Sequence, residues 1–172
     1  MSVDYYMAID PGKATGIAIG RMTEELPMDV IYKAIIPEGT VGFAEWLWKM
    51  RYGRAIIEED CLNNFPDSYL TLDWHLDVVC ENFRVLSTDF KPNVEPLRIE
   101  GIIIDRFGKS VHWQQPSDKK MIGDDFLKER GLWTTGKKMG HTDGRDANDA
   151  MLHLFAYALK SKHEPSLRAY WS

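Results

Sequence analysis

Residues 7–20 read MAIDPGKATGIAIG. The apolar Met7, Ala8 and Ile9 lead to Asp10, and Pro11-Gly12 then breaks the run, as a strand-ending turn does. From Thr15 the chain is apolar again in alternation, through Ile17 and Ile19, with Gly16 and Gly20 between. Two such runs about a short turn predict strands over 5–10 and 15–22. Further on, 30–36 is rich in β-branched residues and stops at Pro37, which predicts a third strand. Three consecutive strands with short connections make an antiparallel meander.

Beyond the meander, helices and strands alternate. Residues 41–62 carry Phe43, Leu47, Trp48, Met50, Ile56 and Ile57, and predict a helix with a break at Tyr52-Gly53. LDVVCEN at 76–82 reads as a buried strand. In 94–108, Leu97, Ile99, Ile102, Ile103 and Phe107 fall at helical spacing, with Pro96 near the first turn and Gly108 at the end. Residues 111–114 form a short strand. Ser117 predicts the N-cap of a helix running to Arg130 and stopped by Gly131. The polar, Gly-rich WTTGKKMGHTDG then leads into a last helix over 145–162, with Asp143 as its N-cap. The order βββ-α-β-α-β-α-α predicts an α/β fold: a five-stranded mixed sheet, antiparallel meander plus parallel strands, flanked by helices. No repeat, low-complexity tract or linker divides the chain, so 1–172 reads as a single domain.

A chain of 172 residues, 44% of them hydrophobic, is long enough for one real core. Cys61 and Cys80 stand far apart without CxxC spacing, which excludes a disulfide scaffold or zinc knuckle and suits a reducing compartment. The N-terminus has no basic region followed by an apolar one, and no apolar run approaches the ~18 residues that span a bilayer. The expected location is cytoplasmic. The net charge of −5 is unevenly spread: up to Phe90 there are 7 Lys and Arg against 15 Asp and Glu, and beyond it 14 against 11. Within 106–138, 8 basic residues face 4 acidic ones, a bias that permits a phosphate-facing side without demanding one.

Four acidic residues stand out by position. Asp10 and Glu81 each finish a strand that otherwise reads as core, where carboxylates are disfavoured. Asp146 and Asp149 open the last helix three residues apart, on one face, where like charges repel and the helix N-terminus offsets only part of the repulsion. Singly, each reads as a turn former or helix-end decoration. Together they suit hard Mg²⁺, with Mn²⁺ substituting, since two-metal phosphodiester hydrolysis needs several carboxylates holding two ions ~3.5–4 Å apart.

MAIDPGKATGIAIG resembles the first hairpin of the RuvC-type Holliday junction resolvases of bacteria and bacteriophages. VVCENF is similar to their fourth strand with its catalytic Glu, and RDANDAMLHLFAYAL to their C-terminal helix, in which two acidic ligands sit three apart. VHWQQPSDKKMI resembles the segment from fifth strand to helix, where the family places a functional Lys. The four motifs keep the family's order from about 5 to 162. The resemblance implies a ribonuclease H-like fold and a homodimer that resolves four-way DNA junctions by paired symmetric nicks. It also implies that Asp10, Glu81, Asp146 and Asp149 are the catalytic and metal-binding set. Residues 38–75 and 84–94 match nothing in the family pattern.

Either Lys119 or Lys120 is placed to neutralise charge on the scissile phosphate, as the family's Lys does. Lys137 and Lys138 suit contacts to backbone phosphates. The family's base-stacking aromatic follows the catalytic Glu; Phe83 comes slightly early and Phe90 is the alternative. Asp143 with Asp146 is an alternative ligand pair. His153, one turn beyond Asp149, reads first as a satisfied helix histidine and second as a neighbour of the site, and His141 is a lesser candidate. Trp46 and Trp48, with Phe43, read as core or dimer contact. Competing functions are a broader branched-DNA, flap or RNA:DNA hybrid nuclease, an inactive junction-binding protein, and an actin- or hexokinase-type phosphotransferase. The last needs a duplicated fold and a second phosphate loop, and neither is present in the sequence.

Overall fold

The structure, a computed structural model, describes residues 4–51, 76–83, 93–135 and 144–172. The meander forms as β1 (Asp4–Asp10), β2 (Thr15–Met22) and β3 (Asp29–Ile36), all antiparallel. Helix α1 (Gly39–Arg51) follows, then β4 (Leu76–Glu81), α2 (Glu95–Phe107) and β5 (Val111–Gln114). Strands β1, β4 and β5 run parallel, and the sheet order is β3-β2-β1-β4-β5. The five-stranded mixed sheet expected from the sequence is therefore the one observed.

The two-residue period of the strands divides the core between two faces. Met7, Ile9, Ile17, Ile19, Val78 and Cys80 point to one side, where Phe43 and Leu47 of α1 and Ile99 and Ile103 of α2 cover them. Ala8, Ala18 and Val79 point to the other, under Ala150, Met151, Leu154 and Phe155 of the long helix α4 (Arg145–Lys160). Small residues on this second face let α4 lie close to the sheet. Gly16 is decisive: a Cβ there would stand 1.9 Å from the Asp146 carbonyl oxygen, so only glycine admits the start of α4.

Two expectations are corrected after β5. The helix foreseen from Ser117 to Arg130 is two pieces, a 3₁₀ turn at Lys119–Met121 and α3 (Asp124–Glu129). Between them Gly123 has φ 80° and ψ 154°, a conformation no helix contains. The N-cap of α4 is Gly144, not Asp143. A further helix, α5 (Glu164–Trp171), closes the chain with Pro165 in its first turn. Long-range hydrogen bonds hold it: the Met28 amide donates to Ser166 Oγ at 2.8 Å, and Tyr170 Oη donates to the Met28 carbonyl at 2.6 Å. The expected continuation of the first helix through 62, with its break at Tyr52-Gly53, lies outside the described residues, as do Cys61, Phe90, Lys137, Lys138, His141 and Asp143. Among the described residues no helix is long and apolar enough to cross a membrane.

Candidate active site

Strand pairing builds the site's first wall. Ile9 pairs with Cys80, so the next residue on each strand, Asp10 and Glu81, ends its strand on the α4 side. Glu81 in turn pairs with Gln114, the last residue of β5. Three polar side chains thus stand side by side at the C-terminal edge of the three parallel strands, the edge where open α/β sheets present their ligand sites.

Helix α4 supplies the second wall. Asp146, Asp149 and His153 fall at i, i+3 and i+7, and so share one face. The close approach at Gly16 sets the first turn of α4 over the end of the β1–β2 hairpin, since Gly16 is the register partner of Asp10. Asn148, fully buried, fixes the preceding segment: the Thr134 amide donates to its Oδ1 at 3.0 Å, and its Nδ2 donates to the Thr134 carbonyl at 2.9 Å.

Lys119 closes the arrangement from the 3₁₀ turn. Its Nζ lies 2.9 Å from Glu81 Oε2, 2.9 Å from Asp149 Oδ2 and 3.7 Å from Asp10 Oδ1. The turn that carries it is anchored by the buried Asp118, whose Oδ2 accepts from the Gln115 amide at 3.0 Å and from Lys160 Nζ at 2.7 Å. One ammonium among three carboxylates marks this point as a place where positive charge is stabilised.

The electrostatics follow from burial and crowding. Burial pushes Asp10 up to about 7; Lys119 opposes the rise, and the charges of Glu81, Asp149 and Asp146 add to it. Glu81 is pushed up by burial too, but its hydrogen bonds from His153 and Lys119 outweigh that and hold it below the usual carboxylate range. For Lys119 burial works against the charge, and the Asp10 charge and the bonds to Asp149 and Glu81 overcome it, so its proton is held more tightly than usual.

Asp10, Glu81, Asp149 and Lys119 are brought together, and Asp146 lies close enough for its charge to act on Asp10. Lys120, one residue on, points to solvent, which separates the two lysines left open by the sequence. Phe83 is partly buried just past Glu81, with its amide donating to Glu100. Part of the basic bias in 106–138 is structural: Arg130 stacks on Phe126 with its guanidinium carbon 3.7 Å from the ring centre, and donates to the carbonyls of Phe126 and Tyr170. Both ring nitrogens of His153 are hydrogen-bonded, as its first reading has it, and their partners also put it beside the carboxylates. It is fully buried and belongs to the site, with Nε2 2.7 Å from Glu81 Oε2 and Nδ1 2.6 Å from Gln114 Oε1. Atoms of Asp10, Glu81 and His153 able to bind a metal lie within 4.8 Å of one another. Gln114 and Asp118 drew no attention in the sequence. The signal for His153 was its place seven residues after Asp146 and four after Asp149.

No family model and no curated protein matches the chain. Among solved structures it is similar to T. thermophilus RuvC in complex with a Holliday junction substrate, over 94% of this chain and 97% of that one, with a TM-score of 0.56 at 10% identity. A second Thermus thermophilus RuvC structure is similar over 91% of this chain and 96% of the other, with a TM-score of 0.50 at 11% identity. The fold of this chain is thus the ribonuclease H-like fold of the RuvC structures.

Proposed function

We propose that the chain is a divalent-metal-dependent DNA endonuclease that resolves four-way junctions, working as a homodimer on branched DNA. The observation that carries this reading is the convergence of Asp10, Glu81 and Asp149 on one cationic centre at the C-terminal edge of a RuvC-like sheet. Fold likeness to a protein solved with a Holliday junction substrate supports the substrate class by analogy.

The donor set fits a hard dication: carboxylate oxygens converge, and the lysine among them shows that the site already compensates positive charge. Asp10, Glu81, Asp146 and Asp149 would hold Mg²⁺ or Mn²⁺, two ions to a site. When bound, such ions supply Lewis-acid chemistry, drawing charge from the phosphate and lowering the pKa of a water nucleophile. In the hydrolysis, water attacks phosphorus and the P–O3′ bond breaks, leaving a 5′-phosphate and a 3′-hydroxyl.

The chain's own residues position this reaction. Lys119, once the carboxylates are otherwise occupied, donates to a non-bridging oxygen of the scissile phosphate. Lys120, at the surface beside it, binds backbone phosphate together with Lys137 and Lys138 of the Gly-rich segment. Phe83 stacks on an unpaired base near the branch. A second copy covers apolar side chains on the outside of α1 and α2, where Val41 is 69%, Trp48 53% and Ile104 55% exposed. Two copies supply the two active sites that paired nicks require.

Labelled four-way junction, flap, RNA:DNA hybrid and linear duplex substrates, offered with Mg²⁺ and with Mn²⁺, test the reading. Symmetric paired nicks in the junction, with the other three substrates cut far more slowly, are expected. Preferred cutting of the flap or hybrid would move the chain to the broader nuclease reading, and binding without cutting would leave a junction-binding protein.

A further inference from the structure

An imidazole ring has two nitrogens, and the partner of one decides what the other can do. His153 Nδ1 faces Gln114 Oε1 at 2.6 Å, and Gln114 Nε2 donates to the His153 carbonyl oxygen at 3.3 Å. That second bond fixes the amide so that its oxygen, which only accepts, meets the ring. Nδ1 therefore carries a hydrogen, and Nε2, which donates to Glu81 Oε2, is the nitrogen that can give up its proton to a metal ion. Nε2 points into the carboxylate centre, 2.7 Å from Glu81 Oε2 and grouped with Asp10.

Packing alone does not ask for this residue. Met151, Leu152, Leu154 and Phe155 around it on α4 are buried apolar side chains, and a buried imidazole is costly unless both nitrogens are satisfied. Gln114, 3% exposed at the end of β5, is spent wholly on orienting the ring. A metal-binding histidine is commonly held in this way, its far N–H given to a fixed acceptor so that the near nitrogen is free for the ion.

We propose that His153 is a nitrogen ligand of this centre, making it a mixed carboxylate–imidazole site that selects a borderline transition-metal dication of the Mn²⁺ kind over Mg²⁺ and Ca²⁺. Imidazole suits transition metals, whereas Mg²⁺ and Ca²⁺ keep to oxygen donors, so one nitrogen among the ligands biases the choice. Lys119 and His153 share Glu81 Oε2, so an ion arriving at that oxygen takes the place of the ammonium and is met by Nε2. The inference rests on the reading of the centre as a divalent-cation site and narrows it.

The test uses the full chain without a histidine tag, loaded with Mn²⁺ alone. Electron spin-echo envelope modulation detects a ¹⁴N nucleus bound directly to Mn²⁺. The wild type is expected to show imidazole nitrogen modulation, which persists in His112→Gln, whose ring faces Asp77 at 3.6 Å, and vanishes in His153→Gln. Calorimetric titration is expected to show Mn²⁺ bound at least about tenfold more tightly than Mg²⁺ by the wild type. In Gln114→Leu, which keeps the ring but frees its orientation, Mn²⁺ affinity falls about 10- to 100-fold. Should His153→Gln fail to fold, the wild-type and His112→Gln spectra and the Gln114→Leu titration decide. Mn²⁺ bound without nitrogen modulation overturns the inference and leaves an all-oxygen nuclease centre standing. No binding of Mn²⁺ at all overturns both.

Discussion

Asp10 concentrates the tension in the site. Desolvation raises its pKa to about 7, so between about pH 4 and pH 7 the folded protein holds a proton that the unfolded chain has released. Where the native state binds more protons, stability falls as pH rises, so ionising Asp10 costs stability that is fully lost above pH 7. Asp10→Asn removes this penalty. In the presence of a chelator at pH 8, the variant is expected to melt roughly 4–8 °C above the wild type, the equivalent of about 2 kcal/mol in a chain of this size. The gap should close as pH falls towards 4. Thermal melts across that range check it, and a variant melting no higher than the wild type at pH 8 would refute the electrostatic account of the site. With Mn²⁺ in place of the chelator the order is expected to reverse, because a ligand that binds only the native wild type stabilises it by mass action.

The elements place these residues through two devices, the close contact of α4 with the β1–β2 hairpin and the anchored 3₁₀ turn. Gly16→Ala tests the first. Its Cβ would meet backbone, which no rotamer change relieves, so α4 must shift away from the sheet. A loss of about 3 kcal/mol or more is expected in urea denaturation, together with weaker Mn²⁺ binding, since Asp146 and Asp149 move with the helix. A fully stable variant with unchanged metal affinity would mean that the start of α4 is looser than described. The strands and α4 were legible in the sequence because alternation and helical periodicity report burial directly. The 3₁₀ turn and α3 were not. Ser117 looked like a cap, while the tertiary bond from Lys160 to Asp118 and the backbone of Gly123 decided the outcome. Helix α5 is only eight residues long and owes its place to Met28, far away in sequence. Asp10, Glu81 and Asp149 could be singled out because carboxylates at the ends of apolar elements are anomalous. His153 was hidden, since a histidine on a helix has a bland explanation until Gln114 and Glu81 are seen on either side of it.

For the whole molecule, sheet topology and charge act together. The parallel edge of β1, β4 and β5 gathers polar ends from three strands, and α4 crosses them with acidic residues and a histidine on one face. The net negative charge is compatible with the proposed DNA binding, because the acidic excess lies in the first half of the sequence and includes Asp10 and Glu81, which a bound dication would neutralise. In the proposed dimer a second copy covers the exposed apolar side chains of α1 and α2, and one assembly then carries two centres for two strands. The proposed cutting of branched DNA by this carboxylate centre, loaded with divalent cations, is tested by cleavage of a synthetic four-way junction with Mn²⁺ by the wild type and by Asp149→Asn, with junction binding measured in parallel. The wild type is expected to nick two symmetric strands. Asp149→Asn is expected to bind the junction with little change and to lose cleavage, because an amide cannot replace the carboxylate. Cleavage by Asp149→Asn at the wild-type rate would contradict the account.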